Sequence, residues 1–98
     1  MDKQAYIGKA VISAKTNYRF IMTKIHAAYI TLRDQEPDKN AVREEHTFEV
    51  ISQDPFSDGT LYFEDKALNN LFIKEYNDYR HSEEGHSEAM MHWILTGN

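Results

Sequence analysis

Residues 7–32 read IGKAVISAKTNYRFIMTKIHAAYITL, and the predicted fold depends mainly on the pattern of these residues. Apolar residues recur in it at alternating intervals of four and three positions: Ile7, Val11, Ala14, Tyr18, Ile21, Ile25, Ala28 and Leu32. This spacing is typical of the heptad seam of an α-helix. Because no Gly or Pro lies between Gly8 and Pro37, the pattern predicts one helix of about 26 residues, roughly 38 Å long at 1.5 Å per residue.

The opposite side of this predicted helix is also partly apolar, with Ile12, Phe20, Ala27 and Ile30. A helix that is apolar on two sides is usually central to its domain. Two interpretations stay open: a core helix within one chain, or a helix that also joins copies of the chain. For the second, the predicted oligomer interface consists of Ile7, Val11, Tyr18, Ile21, Ile25 and Leu32.

The middle of the chain gives conflicting signals. Residues 34–40 are polar and contain Pro37, which predicts a loop that ends the helix. Residues 41–45 favour a helix by propensity, whereas residues 47–51 are β-branched and aromatic. With a turn at 54–59 and a strand-like run at 60–63, we predict a small β-hairpin over residues 46–64, and helical structure at 41–53 is the alternative.

The C-terminal third predicts two shorter helices. Asp65 is a suitable N-cap for the first, whose apolar positions are Leu68, Leu71, Phe72, Tyr76 and Tyr79. The second begins near Ser82 or Ser87, carries Met90, Met91, Trp93, Ile94 and Leu95, and ends at Gly97. The predicted fold class is therefore α+β and mainly helical, with a long N-terminal helix, a small hairpin and two C-terminal helices, and an all-α fold is the alternative.

Length and composition narrow the class of protein. The 98 residues predict a single domain over residues 1–98. The absence of cysteine excludes disulfides, thiolate nucleophiles and cysteine-bound metals. Lys9 and Lys15 interrupt the first apolar residues, so we expect no secretory signal. No apolar run approaches the roughly 20 residues of a membrane span, and we predict a cytoplasmic protein.

The net charge of −5 conceals an uneven distribution along the chain. Residues 1–33 carry six basic side chains and one acid, a charge of +5, while residues 34–98 carry five basic side chains and fifteen acids, a charge of −10. This division predicts contacts between opposite charges, or a surface that attracts a basic partner. We place the predicted partner-binding surface on Glu44, Glu45, Asp58, Glu83 and Glu84.

Two stretches have the composition of metal sites. Residues 54–65 resemble a calcium-binding EF-hand loop, but Phe56 at its third position supplies no oxygen, so we interpret the stretch as an Asp-Gly turn. The segment from His81 to His92 contains imidazoles and carboxylates that ligate transition metals: His81, Glu83, Glu84, His86, Glu88 and His92. Because acids are favourable at the start of any helix, we assign no metal ligand there.

Catalytic motifs are not found in this sequence. It contains neither a Gly-x-Ser-x-Gly nucleophile motif nor a Gly-rich phosphate-binding loop. We therefore predict that the protein is not an enzyme, and we assign no catalytic residue and no cofactor.

The predicted function is a non-enzymatic, acidic protein-binding module that forms a homo-oligomer and regulates or inhibits a basic, nucleic-acid-handling partner. Such a short, motif-poor chain suits a phage or mobile-element origin, for example as an inhibitor of a host defence protein. One alternative is an oligomer that binds a small ligand or metal through residues 81–92. Another is direct nucleic-acid binding by the basic N-terminal helix, which we do not expect because its cations are spread around the helix and the remaining chain is acidic.

Overall fold

A computed structural model describes residues 1–35, 44–50 and 53–96. Its centre is a five-stranded antiparallel sheet in the order β4-β3-β2-β1-β5. The strands are β1 (Ala10–Ser13), β2 (Arg19–Ile25), β3 (Tyr29–Asp34), β4 (Glu45–Glu49) and β5 (Leu61–Phe63). A short 3-10 helix, Lys3–Ala5, precedes the sheet, and two helices follow it, α1 (Lys66–Arg80) and α2 (Glu83–Thr96).

The predicted long N-terminal helix is wrong, because residues 7–32 contain β1, β2 and most of β3. Asn17 adopts a left-handed backbone with φ 59° in the turn between β1 and β2, where Asn is tolerated better than most residues. His26 donates its backbone N–H to the Tyr29 carbonyl at 2.9 Å and closes the turn between β2 and β3. The mainly helical class and its all-α alternative are therefore also wrong, since the α-helices among the described residues are confined to the C-terminal third and a five-stranded sheet forms the centre of the fold.

The predicted hairpin over residues 46–64 is wrong in its pairing. Residues 45–49 and 61–63 are strands, but β4 and β5 lie at opposite edges of the sheet. β4 pairs with β3, and β5 pairs with β1. The alternative of helical structure at 41–53 fails at 45–49, while residues 41–43 and 51–52 lie outside the described part of the chain.

The C-terminal helix predictions are confirmed. The Asp65 carboxylate accepts the Leu68 backbone N–H at 3.1 Å and caps α1, as predicted. The α2 helix begins directly after Ser82, one of its two predicted starts. The predicted terminator Gly97 lies outside the described residues. The Asp-Gly turn is also confirmed, since Asp54 and Asp58 each accept a backbone N–H two residues further on.

The core lies between one sheet face and α1. Phe72 of α1 is fully buried, and its ring lies 4.7–5.0 Å from those of Tyr6, Phe56 and Phe63. The strands contribute these buried aliphatic side chains: Val11, Met22, Ile25, Ile30, Leu32 and Leu61. Among the described residues, neither α1 nor α2 combines the length and the apolar character that crossing a membrane requires.

Candidate functional site

The α2 helix is held against α1 at its first turn. The Gly85 backbone N–H donates to Ser82 Oγ at 3.1 Å, which caps the helix. Ser82 Oγ in turn donates to the Tyr79 carbonyl at 2.6 Å. A Cβ atom at position 85 would lie 1.9 Å from the same carbonyl oxygen, so the close approach of the two helices requires glycine there.

The inner side of α2 is fixed by polar contacts with the N-terminal part of the chain. Lys3 Nζ lies 3.2 Å from Glu88 Oε2, and His26 Nε2 lies 3.3 Å from Glu88 Oε1. Ala89, one residue further along α2, packs against the hydrophobic core. The predicted contacts between the basic and acidic parts of the sequence thus occur within one chain.

The opposite side of α2 remains exposed, although half of it is apolar. Met90 and Met91 are 48% and 54% exposed, and Ile94 and Leu95 are 67% and 77% exposed. Spacings of three and four residues place these side chains on one side of the helix, together with three exposed polar residues of its first half. We call this surface the outer face of α2, and it consists of Glu83, Glu84, Ser87, Met90, Met91, Ile94 and Leu95.

An acidic groove adjoins this outer face where α1 meets α2. Its volume is about 360 Å³, and its lining includes the carboxylates of Glu75, Asp78 and Glu84. Glu75 also accepts the Tyr6 hydroxyl at 2.7 Å. Burial of the Tyr6 side chain and this bond to Glu75 both raise the pKa of the phenol above its ordinary value. Tyr6 therefore stays protonated and holds Glu75 at the groove.

A second groove of about 520 Å³ opens between strands β2 to β4 and the other side of α2. Tyr29 of β3 and His92 of α2 both line it, with their ring centroids 4.9 Å apart. Behind them the His26 ring stacks on Tyr29 at 4.3 Å. These ring contacts attach the middle of α2 to the end of the sheet.

His26 is held as one neutral tautomer. Its Nδ1 accepts the Ala28 backbone N–H at 3.1 Å, so the ring proton resides on Nε2 and points to Glu88. Burial lowers the pKa of His26 below its ordinary value, although the Glu88 carboxylate opposes this effect. Electrostatic interactions with three neighbours add to the lowering: His92, Lys3 and Lys24.

The predicted acidic surface is divided by the fold. Glu83 and Glu84 lie side by side in the first turn of α2. Glu44 directly precedes β4 and Glu45 is its first residue, whereas Asp58 lies in the loop before β5, at the opposite edge of the sheet. All five side chains are exposed. The structure therefore brings together only two pairs of the five residues.

The six residues of the predicted oligomer interface do not form a seam. Val11, Ile25 and Leu32 are in the core of the single chain, with exposures of 0%, 5% and 0%. Ile7 and Ile21 are half-buried, and Tyr18 is exposed. Core side chains are inaccessible to a second copy, so the heptad pattern does not describe a contact surface.

The histidine-rich segment is divided between two sides of α2. His81, Glu83 and His86 line an open groove of about 700 Å³, while Glu88 and His92 point towards His26. Within residues 1–35, 44–50 and 53–96, one group of three potential ligands is close enough to share a metal, and it lies elsewhere, at Asp34, Glu44 and His46.

The exposure of Met90, Met91, Ile94 and Leu95 was not predicted, although the sequence places all four on this helix. The pairs Met90-Met91 and Ile94-Leu95, four residues apart, were a visible signal of one apolar helix side.

Comparison of the chain with protein-family models, with curated proteins and with solved structures finds no match.

Proposed function

We propose that the protein is a non-enzymatic protein-binding module that inserts the outer face of α2 into an apolar groove of a partner protein. The observation that carries the proposal is that four large apolar side chains stand exposed on one helix side, directly after two acids on the same side. Exposed apolar patches on folded proteins commonly mark interaction sites, and an amphipathic helix in a groove is a recurrent binding mode.

The negative charge around the outer face favours a partner with a basic surface. Glu83 and Glu84 precede the apolar residues, and the groove beside them adds Glu75 and Asp78. A partner with an apolar groove and basic side chains at one end would complement this arrangement. Proteins that handle nucleic acids carry such basic surfaces, and occupation of one by this module would regulate or inhibit its owner.

The alternative of nucleic-acid binding by an N-terminal helix loses its basis, because that helix is replaced by strands. Arg19, one of its cations, forms an ion pair with Glu64. Lys3 is likewise paired with Glu88. The N-terminal cations thus partly neutralise acids of the same chain.

The test is a tagged pull-down from host lysate with nuclease, in which candidate partners are identified and their affinities are then measured with purified proteins. We expect Ile94→Ser and Leu95→Ser to weaken binding at least about tenfold, since apolar anchors carry most interface energy. Leu71→Ser is the matched control because Leu71 is an exposed apolar residue of α1, 46% exposed, away from the outer face. Circular dichroism checks that each variant is folded.

Charge reversal tests which of two acidic pairs contributes to partner binding, Glu83 with Glu84 or Glu44 with Glu45. Glu83→Lys with Glu84→Lys is expected to weaken binding and to reduce its salt dependence, because screened attraction is lost. Glu44→Lys with Glu45→Lys is expected to leave binding nearly unchanged. The proposal fails if charge reversal at Glu44 and Glu45 abolishes binding, or if Leu71→Ser weakens binding as much as Ile94→Ser does. It also fails if the outer face only joins two copies of this chain.

A further inference from the structure

Three potential metal ligands meet at one end of the β3–β4 pair. Asp34 ends β3, Glu44 directly precedes β4, and His46 is the second residue of β4. The Asp34 backbone N–H donates to the Glu44 carbonyl at 3.2 Å, and Leu32 is the register partner of His46. Directly opposed residues, and residues two apart on a strand, share a sheet face, so the three side chains project from the same side.

The ligand atoms are close to the separations that one metal ion requires. His46 Nε2 lies 3.0 Å from Asp34 Oδ1, and a Glu44 carboxylate oxygen completes a group in which all three atoms lie within 4.8 Å of one another. In a tetrahedral site, metal–ligand bonds of about 2.0–2.2 Å place adjacent ligand atoms roughly 3.3–3.6 Å apart. His46 Nε2 and Asp34 Oδ1 lie close to this spacing, and rotation of the exposed Glu44 side chain closes the remaining distance.

The surroundings of the three residues hold the histidine in place. The Phe20 ring contacts His46 edge-on, with centroids 5.6 Å apart and an interplanar angle of 77°. Phe20 is also the register partner of Asp34 on β2. The Asp34 side chain is 15% exposed and that of His46 38% exposed. The site is therefore apolar on the β2 side and open on the Glu44 side, where an ion and its water would enter.

We propose that Asp34, Glu44 and His46 form a binding site for a divalent transition metal, with Zn²⁺ as the ion that fits best. Imidazole and carboxylate are both zinc ligands, and three protein ligands plus one water complete a tetrahedron. Ca²⁺ and Mg²⁺ prefer oxygen ligands, so the imidazole nitrogen of His46 favours a transition metal over them. Bound zinc would join β3 to the edge strand β4, a role independent of the α2 outer face.

The experiment is calorimetric titration of the untagged, full-length protein with Zn²⁺, accompanied by thermal unfolding. We expect saturable one-to-one binding and a melting temperature that rises with zinc concentration. Glu44→Gln tests the site without destabilising the fold, because Glu44 is exposed. His46→Gln and Asp34→Asn test the other two ligands. Each substitution is expected to weaken binding at least about tenfold.

His86→Gln is the matched control, since His86 is an exposed histidine of α2 in the histidine-rich segment from His81 to His92. It is expected to retain the wild-type affinity. The proposal is overturned if zinc shows no saturable binding, if Glu44→Gln and His46→Gln bind as tightly as the wild type, or if His86→Gln is the variant that loses binding.

Discussion

His26 Nε2, directly after β2, lies 3.3 Å from Glu88 Oε1 on α2, and this contact connects the sheet to the helix that presents the outer face. Burial lowers the pKa of His26 from its ordinary value of 6.5. The groups that face the imidazole are the Glu88 carboxylate, which favours protonation, and three cationic or ionisable groups that disfavour it: His92, Lys3 and Lys24.

This lowered pKa predicts that acid weakens the fold near neutral pH. The unfolded chain binds a proton at position 26 more readily than the folded chain does. The contribution of His26 to the free energy of unfolding is therefore complete above pH 6.5. It decreases as the pH falls from 6.5 towards the folded-state pKa. Denaturant unfolding at several values between about pH 8 and about pH 5 would show a falling free energy of unfolding.

The His26→Gln variant is expected to lose this pH dependence, whereas His86→Gln, at an exposed position, is expected to keep it. An unchanged slope in His26→Gln would show that another group titrates in this range.

Gly85→Ala is expected to destabilise the protein, although Ala has a higher helix propensity than Gly. In an exposed helix interior the change from Gly to Ala stabilises by up to about 1 kcal/mol. At position 85 the added Cβ would lie 1.9 Å from the Tyr79 carbonyl oxygen, so α2 must shift away from α1. We expect a loss of about 1–3 kcal/mol in the free energy of unfolding, measured by urea denaturation.

Ser87→Ala is the control for Gly85→Ala because Ser87 is exposed on the same helix. Its expected effect is within about 0.5 kcal/mol. A stabilised Gly85→Ala variant would contradict the close packing of the two helices.

The parts of the fold that could be predicted from the sequence are those fixed by local chemistry. Asp65 caps α1 through a carboxylate three residues from its partner N–H, and the turn at 54–59 closes through bonds between near neighbours. Neither depends on distant residues. The position and type of both C-terminal helices were therefore predictable.

The N-terminal sheet was not predicted because its side-chain alternation is interrupted. The register of β2 against β3 shifts between Met22 and Lys24, and a turn at Asn17 separates β1 from β2. The heptad spacing coincides only partly with burial, since Val11, Ile25, Ala28 and Leu32 are buried whereas Ala14 and Tyr18 are exposed. The contrary signal was composition, since nine of the 26 residues from 7 to 32 are Ile, Val or Thr, which favour strands.

The exposure of the α2 outer face depends on tertiary packing and therefore could not be predicted from periodicity alone. The sequence identified Met90 and Ile94 as apolar positions of a helix, and such positions usually face the core. Here Gly85 and Glu88 set the rotation of α2 by their contacts with Tyr79 and His26. That rotation turns the apolar side outward.

Phe72→Ala is expected to destabilise the protein by about 3–5 kcal/mol, because it removes a buried ring and leaves a cavity. Phe72 is fully buried and contacts the rings of Tyr6, Phe56 and Phe63. Leu71→Ala, at the neighbouring exposed position, is expected to cost less than about 1 kcal/mol. Chemical denaturation measures both, and equal losses would contradict the orientation of α1 that buries Phe72 and exposes Leu71.

Two buried tyrosines of α1 are expected to respond differently to loss of the hydroxyl group. The Tyr76 hydroxyl donates to the His26 carbonyl at 2.6 Å. Tyr76→Phe removes this bond and leaves a carbonyl without its donor, so we expect a loss of about 1–2 kcal/mol in the free energy of unfolding. In the described part of the chain, the buried Tyr79 hydroxyl has no hydrogen-bond partner.

Tyr79→Phe is therefore expected to be neutral or stabilising, because it removes a buried polar group whose desolvation is not compensated. The pair is a matched comparison, since both changes delete one oxygen from a buried ring on the same helix. Urea denaturation of the two variants measures the difference. If Tyr79→Phe costs as much as Tyr76→Phe, the Tyr79 hydroxyl must be hydrogen-bonded in solution, for example to a buried water.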